Sequence, residues 1–130
     1  MVYFSKQNFD SAEIYFKRVQ QVNPNDANII NNLGAVYLNT KKYPQAIEQF
    51  KKSIALNPNY VNAYSNLGKS YYFTQQYGPA IEIFTKELAM EPKAVRDIPY
   101  LALSYKGAGN MEMAKKYEAI AKQYFADFKL

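Results

Sequence analysis

The sequence predicts an all-α fold built from stacked antiparallel helix pairs, and three observations predict it. A period of 34 residues runs through the 130-residue chain. Within each period, apolar residues recur at helical spacing. Strand signals are missing, with no sustained apolar alternation and no Asn-Gly or Asp-Gly hairpin turn.

The period is visible by eye. Asn32-Leu33-Gly34-x-x-Tyr37 returns as Asn66-Leu67-Gly68-x-x-Tyr71. Aligning 27–60 with 61–94 gives 14 identities over 34 positions. Tyr3, Tyr37, Tyr71 and Tyr105 keep the same step, as do Ala12, Ala46, Ala80 and Ala114. Phe16, Phe50 and Phe84 follow it, and so do Pro24, Pro58 and Pro92.

Residues 1–26 match only the later part of a unit. They predict a short helix over roughly 2–7 and a full one over roughly 10–22, with Val2 and Phe4 poorly covered. A start in mid-unit suggests a truncated repeat or a piece of a longer chain. Units 27–60 and 61–94 are complete. In their first helices, Ile30, Leu33, Tyr37 and Tyr64, Leu67, Tyr71 occupy one face. Breaks follow at 39–42 and 73–76. Pro44 and Pro79 then sit just inside second helices, where a missing N–H costs nothing. Those helices carry Ala46, Ile47, Phe50, Ile54 and Ala80, Ile81, Phe84, Leu88. Asn57-Pro58 and Glu91-Pro92 end them, because the residue before proline avoids the helical region.

The unit from 95 to 130 diverges. Asp97 is placed to N-cap its first helix, with Pro99 in the first turn. Gly107 and Gly109 are expected to end that helix, and a second is expected over roughly 111–127. Lys115, Glu118 and Lys122 replace the apolar residues of the earlier second helices, as a stack requires at a solvent-facing end. Tyr124, Phe125 and Phe128 are expected to fold back on the last helix pair.

The run Ile30-x2-Leu33-Gly34-x2-Tyr37, Ala46-x3-Phe50, Pro58, with its copy Tyr64-x2-Leu67-Gly68-x2-Tyr71, Ala80-x3-Phe84, Pro92, resembles the tetratricopeptide repeat. Ile30 and Tyr64 stand where that family usually has tryptophan. The resemblance covers nearly the whole chain. It implies a right-handed superhelical solenoid of about three and a half units and about seven helices, a single domain over 1–130. Gly34, Gly68, Ala46 and Ala80 then permit close helix approach, and the tyrosines and phenylalanines between them fill the core.

Composition narrows the function. The chain has no cysteine and no histidine, which removes a thiol nucleophile, disulfides and the commonest general base and metal ligand. It has no Gly-rich phosphate loop, and its acidic residues are scattered. No enzyme activity, cofactor or metal is expected. No apolar run reaches membrane-spanning length, and Met1–Lys6 lacks a signal-peptide pattern, so a soluble and cytoplasmic chain is favoured, without membrane insertion. The net charge of +5 is spread over solvated helix faces and forms no single stripe, which disfavours nucleic acid despite Tyr72 and Phe73.

The resemblance implies that function comes from the first helices, which line a concave groove for a protein or peptide segment. The groove positions it carries over are Asn28, Asn62 and Arg96; Asn31, Ser65 and Pro99; Asn32, Asn66 and Tyr100; Ala35, Lys69 and Leu103; Leu38, Tyr72 and Lys106; and Asn39, Phe73 and Gly107. Asparagine dominates, and its amide can pair with both N–H and C=O of an extended peptide. The family's clamp for a C-terminal carboxylate matches only at Asn66 and Arg96. Lys69, Arg96 and Lys106 could still favour an acidic or C-terminal segment. The alternative is a structural role, as a homo-oligomer or an assembly element of a longer protein.

Overall fold

Prolines and helix-stop turns punctuate the chain, and the helices begin and end at that punctuation. The structure, a computed structural model, describes residues 6–93 and 95–130, with side chains from Asn8 onward. The described residues form seven α-helices and no strand: α1 (Lys6–Val22), α2 (Ala27–Asn39), α3 (Tyr43–Leu56), α4 (Val61–Phe73), α5 (Tyr77–Met90), α6 (Ile98–Gly107) and α7 (Met111–Tyr124). The chain is an all-α helical-repeat solenoid.

Asp26 caps α2 by accepting from the N–H groups of Asn28 and Ile29 at 3.0 and 3.3 Å. Pro44 lies in the first turn of α3, and Pro79 in that of α5. The helices α3 and α5 stop ahead of Asn57-Pro58 and Glu91-Pro92.

The first helices of the pairs stop by another device, used three times. Lys42 N–H donates to the Tyr37 carbonyl at 2.8 Å, and Lys41 N–H to Leu38 at 3.1 Å. Gln76 and Gln75 repeat this on Tyr71 and Tyr72, and Asn110 and Gly109 on Tyr105 and Lys106. These paired bonds form a Schellman motif, which puts one residue in the left-handed region. That residue is Lys41 (φ 61°), Gln75 (φ 60°) and Gly109 (φ 83°), each one period apart.

Three expectations are corrected. The helix α1 runs unbroken from Lys6 through Asn8 and Phe9, because no proline or glycine interrupts it. The rest of the short helix expected over 2–7 lies outside the described residues. The helix α7 ends at Tyr124 rather than 127, since Phe125 leaves the helical region (φ −132°, ψ 83°) and Phe128 N–H turns back to its carbonyl. Asp97 occupies the N-cap of α6, but its side chain makes no capping hydrogen bond, because it is held by cations described below.

The helices gather into two compact units, Met1–Asn66 and Leu67–Leu130, with α4 running through the division. In the first unit, α1 packs on α2 and α2 on α3. Ile30, Leu33, Ala46 and Phe50 are sealed from solvent. A Cβ on Gly34 would come within 2.6 Å of the Phe50 ring, so this position must lack one. Ser53 donates its hydroxyl to the Ala27 carbonyl at 2.8 Å and ties α3 to the start of α2. Between α1 and α2, burial would raise the Glu13 carboxyl, but the Tyr37 hydroxyl, Lys17 and Lys42 together hold it below its ordinary range.

In the second unit, α5 packs on α6 and α6 on α7. Gly68 stands against Phe84 as Gly34 does against Phe50, again at 2.6 Å from a Cβ. A Cβ on Gly107 would run into the Tyr77 ring. Ala102 takes the glycine position in α6 and is fully buried. A methyl fits there because the register position of Phe50 and Phe84 is Glu118 in α7. Tyr105 stacks on Tyr117 at 5.6 Å. The tail turns back only in part. Leu130 N–H donates to Glu118 at 3.1 Å and Phe128 is half-buried, whereas Tyr124 and Phe125 remain exposed. Lys115 and Lys122 are exposed, and Lys122 pairs with the half-buried Glu118 at 3.8 Å.

Candidate functional site

Burying one face of a first helix exposes another, and the same register positions recur on it. On α2, Asn28, Asn32, Ala35 and Asn39 lie at i, i+4, i+7 and i+11, a single stripe. All three asparagines are exposed, and Ala35 is half-buried. On α4 the stripe is Asn62, Asn66, Lys69 and Phe73, exposed at both ends and half-buried in the middle. At α6 it is Arg96, Tyr100, Leu103 and Gly107.

In the first unit, two of the expected groove residues point inward. Asn31 is 5% exposed and Ser65 is 4% exposed. Asn31 donates to the Tyr60 hydroxyl at 3.3 Å and accepts from the Asn66 amide at 3.1 Å. Asn66 is therefore engaged with its own chain, and Asn28, Asn32 and Asn39 carry the outward amides of α2, with Asn62 exposed at the start of α4. Asn28 also borders an open cleft of about 700 Å³ together with Asn25, Leu56, Asn57 and Tyr60, which adds the exposed apolar Leu56 to an amide-rich wall.

In the second unit, Lys69, Tyr72, Phe73, Arg96 and Tyr100 come together. The Tyr72 ring lies edge-on to Phe73, Tyr77 and Tyr100 at 5.5, 6.1 and 5.4 Å, and Phe73 reaches Tyr100 at 6.1 Å. Edge-to-face contacts of this kind suit the ring quadrupoles. Lys69 Nζ stands 5.7 Å from the centre of the Tyr100 ring and 3.7 Å from Asp97 Oδ1. Arg96 Nε lies 3.7 Å from Asp97 Oδ2, and its Nη2 3.7 Å from Glu87 Oε1. Burial, then Asp97 and Tyr72, push the Tyr100 hydroxyl above its ordinary pKa. Lys106 is exposed in the last turn of α6, whereas Tyr100 is in the first.

Sequence reasoning missed Glu87, Asp97, Tyr60 and Tyr77 as members of these clusters. The signal for Glu87 was available, because an acid at the register position of Ser53 falls on the buried face of a second helix. Among the described residues no group of three or more His, Cys, Asp or Glu could hold a metal ion, and no helix is long and apolar enough to cross a membrane.

Three family models match the chain. One described as tetratricopeptide repeat matches residues 1–26 and 61–93, another of the same description matches 15–48, and one described as TPR repeat matches 40–74. No curated protein is a match at the sequence level. Solved structures share the fold. MamA MSR-1 is similar at 23% identity with a TM-score of 0.79, over 88% of this chain and 66% of that one. A MamA RS-1 double mutant gives 23% identity and a TM-score of 0.86, over 91% and 66%. An O-GlcNAc transferase from Thermobaculum terrenum gives 21% identity and a TM-score of 0.71, over 75% of this chain and 19% of its own. This chain thus spans about two thirds of the length of the first two. The 34-residue period, the helix pairs it folds into and the matches spanning residues 1–93 agree: the chain belongs to the tetratricopeptide repeat family.

Proposed function

We propose that this chain is a protein-interaction module that takes an extended peptide segment along the exposed faces of its first helices. Membership of the family supports an interaction or scaffold role in general, and a non-catalytic one. The observation that carries the peptide reading is the α2 stripe, where Asn28, Asn32 and Asn39 are exposed while Ile30, Leu33 and Tyr37 on the same helix are buried. An exposed amide both donates and accepts, so a row of them pairs with peptide backbone and reads little sequence. Each such bond contributes about 1 kcal/mol net. Several bonds plus an apolar anchor give a Kd on the order of micromolar. In the second unit, Lys69, Tyr72, Phe73, Arg96 and Tyr100 would receive an aromatic or acidic side chain of the ligand.

The test is a peptide array of random dodecamers, probed with wild type, Asn28→Ala/Asn32→Ala and Lys69→Ala. Wild type should retain a subset of spots. The asparagine double variant should weaken nearly all of them, and Lys69→Ala only the acidic ones. Equal retention by all three proteins would rule the surface out.

A second reading is self-assembly, favoured by exposed Ile14, Tyr15 and Val22 on α1 and by exposed Tyr124 and Phe125. Light scattering across a hundredfold concentration range separates the two. Self-assembly predicts a mass that rises with concentration, and the peptide reading a constant one.

A further inference from the structure

Four charged side chains stand where the preceding repeat has neutral ones. Lys69, Glu87, Arg96 and Asp97 fall 34 residues after Ala35, Ser53, Asn62 and Ala63. Ser53 and Ala63 are fully buried, so small neutral residues suffice to pack two of these positions. In the second unit the four charges form one cluster instead. Asp97 holds Lys69 and Arg96 through its two oxygens, and Arg96 reaches on to Glu87, each at 3.7 Å.

Glu87 is the anomaly. It is 2% exposed, Asp97 is 4% exposed, and the two carboxyls face each other out of water. The carboxyl borders a small cavity whose other walls include Phe84, Leu88, Ile98 and Leu101. Arg96 at 3.7 Å is beyond hydrogen-bond range and is itself about half exposed. A carboxyl with apolar walls on one side and a second carboxylate on the other is driven to its neutral form. Burial, then Asp97, push it up to about 8, against the opposing pull of Arg96 and Lys69. The facing charged and titratable groups are Lys69 from α4, Arg96 and Asp97 from the segment before α6, and Tyr100 from α6, which burial keeps protonated through this range.

We propose that a single proton on the Glu87–Asp97 pair sets the charge that Lys69 and Arg96 offer to a ligand. With the proton in place, the four groups carry one net positive charge, and an acidic segment is attracted. Without it they are neutral, and that attraction is lost. The ligand half of this inference rests on the peptide reading above; the proton half does not.

Two measurements test it. The first is a carbon-13 carboxyl NMR titration of Glu87 from pH 4 to 9.5, following Arg96 Nε and the Tyr100 ring, in wild type and Glu87→Gln. The expected result is a Glu87 midpoint above 7, with the Arg96 and Tyr100 signals moving through it in wild type and still in the variant. A midpoint near 4.5, or the same Arg96 and Tyr100 transitions in Glu87→Gln, overturns the proposal. The second is binding of fluorescent octaglutamate at pH 6.5 and 9. Wild type should lose about fivefold in affinity between them, the scale of one charge across a half-exposed surface. Glu87→Gln should lose none. Equal loss in both proteins overturns the proposal. If octaglutamate binds neither protein while the NMR result holds, the proton device stands and the acidic-peptide reading falls.

Discussion

Tyr37, Tyr71 and Tyr105 each close a helix with their backbone carbonyl, and Tyr37 and Tyr71 also fill the core with their rings. The neighbouring glycines divide into those that need the missing Cβ and those that do not. Gly34→Ala gains about 1 kcal/mol of helix propensity but drives a methyl into Phe50, and overpacking costs about 1–3 kcal/mol. On balance it should destabilise the protein by up to about 2 kcal/mol in urea unfolding. Gly78→Ala meets nothing within 4 Å and should be neutral or stabilising by up to about 1 kcal/mol. The left-handed positions make a complementary case. Lys41→Gly and Gln75→Gly relieve a positive φ that Gly109 already accommodates, and each should stabilise by about 0.5–1 kcal/mol in the same assay. The close approach at Gly34 and Gly68 was legible in sequence, because the repeat phrase marks it. The left-handed Lys41 and Gln75 were not, because neither residue type announces a positive φ.

At the scale of elements, two carboxyls tie helices together with opposite pH signatures. Glu13 between α1 and α2 has a folded pKa below 4.5, so its stabilisation is present above 4.5 and is lost as pH falls through the folded value. Tyr37→Phe removes its hydrogen-bond donor and should cost about 1 kcal/mol at pH 7 and less at pH 3. Glu87 on α5 has a folded value of about 8, above its ordinary 4.5. Below 4.5 both folded and unfolded chains hold the proton. Between 4.5 and 8 only the folded chain holds it, so stability falls as pH rises, and above 8 the fall stops. Glu87→Gln should therefore gain in melting temperature relative to wild type as pH rises from 5 to 8, with little difference at pH 4. Helix existence and order were readable from spacing, proline and the 34-residue step. The Glu87–Asp97 meeting was not, because Asp97 also satisfies the sequence rule for an N-cap, and only packing reveals that its side chain turns to Lys69 and Arg96.

At the scale of the whole molecule, the same letters serve two purposes on two sides of each first helix. Leu33, Gly34 and Tyr37 bind the repeat together, and the asparagine stripe faces outward. The family resemblance pointed to that stripe, by carrying its groove positions over onto this sequence. It also assigned Asn31 and Ser65 to the groove, and there the structure differs. A helix face is wider than a stripe, and residues at its edge go to whichever neighbour offers a partner, as Asn31 does with Tyr60 and Asn66. The most direct test of the peptide-binding account is side-chain amide NMR with a dodecamer recovered from the array. The account predicts that Asn28, Asn32, Asn39 and Asn62 side-chain resonances shift on titration, while the Gly34 and Gly68 amides stay in place. Shifts confined to Ile14, Tyr15 and Val22 on α1, or to Tyr124 and Phe125, would contradict it.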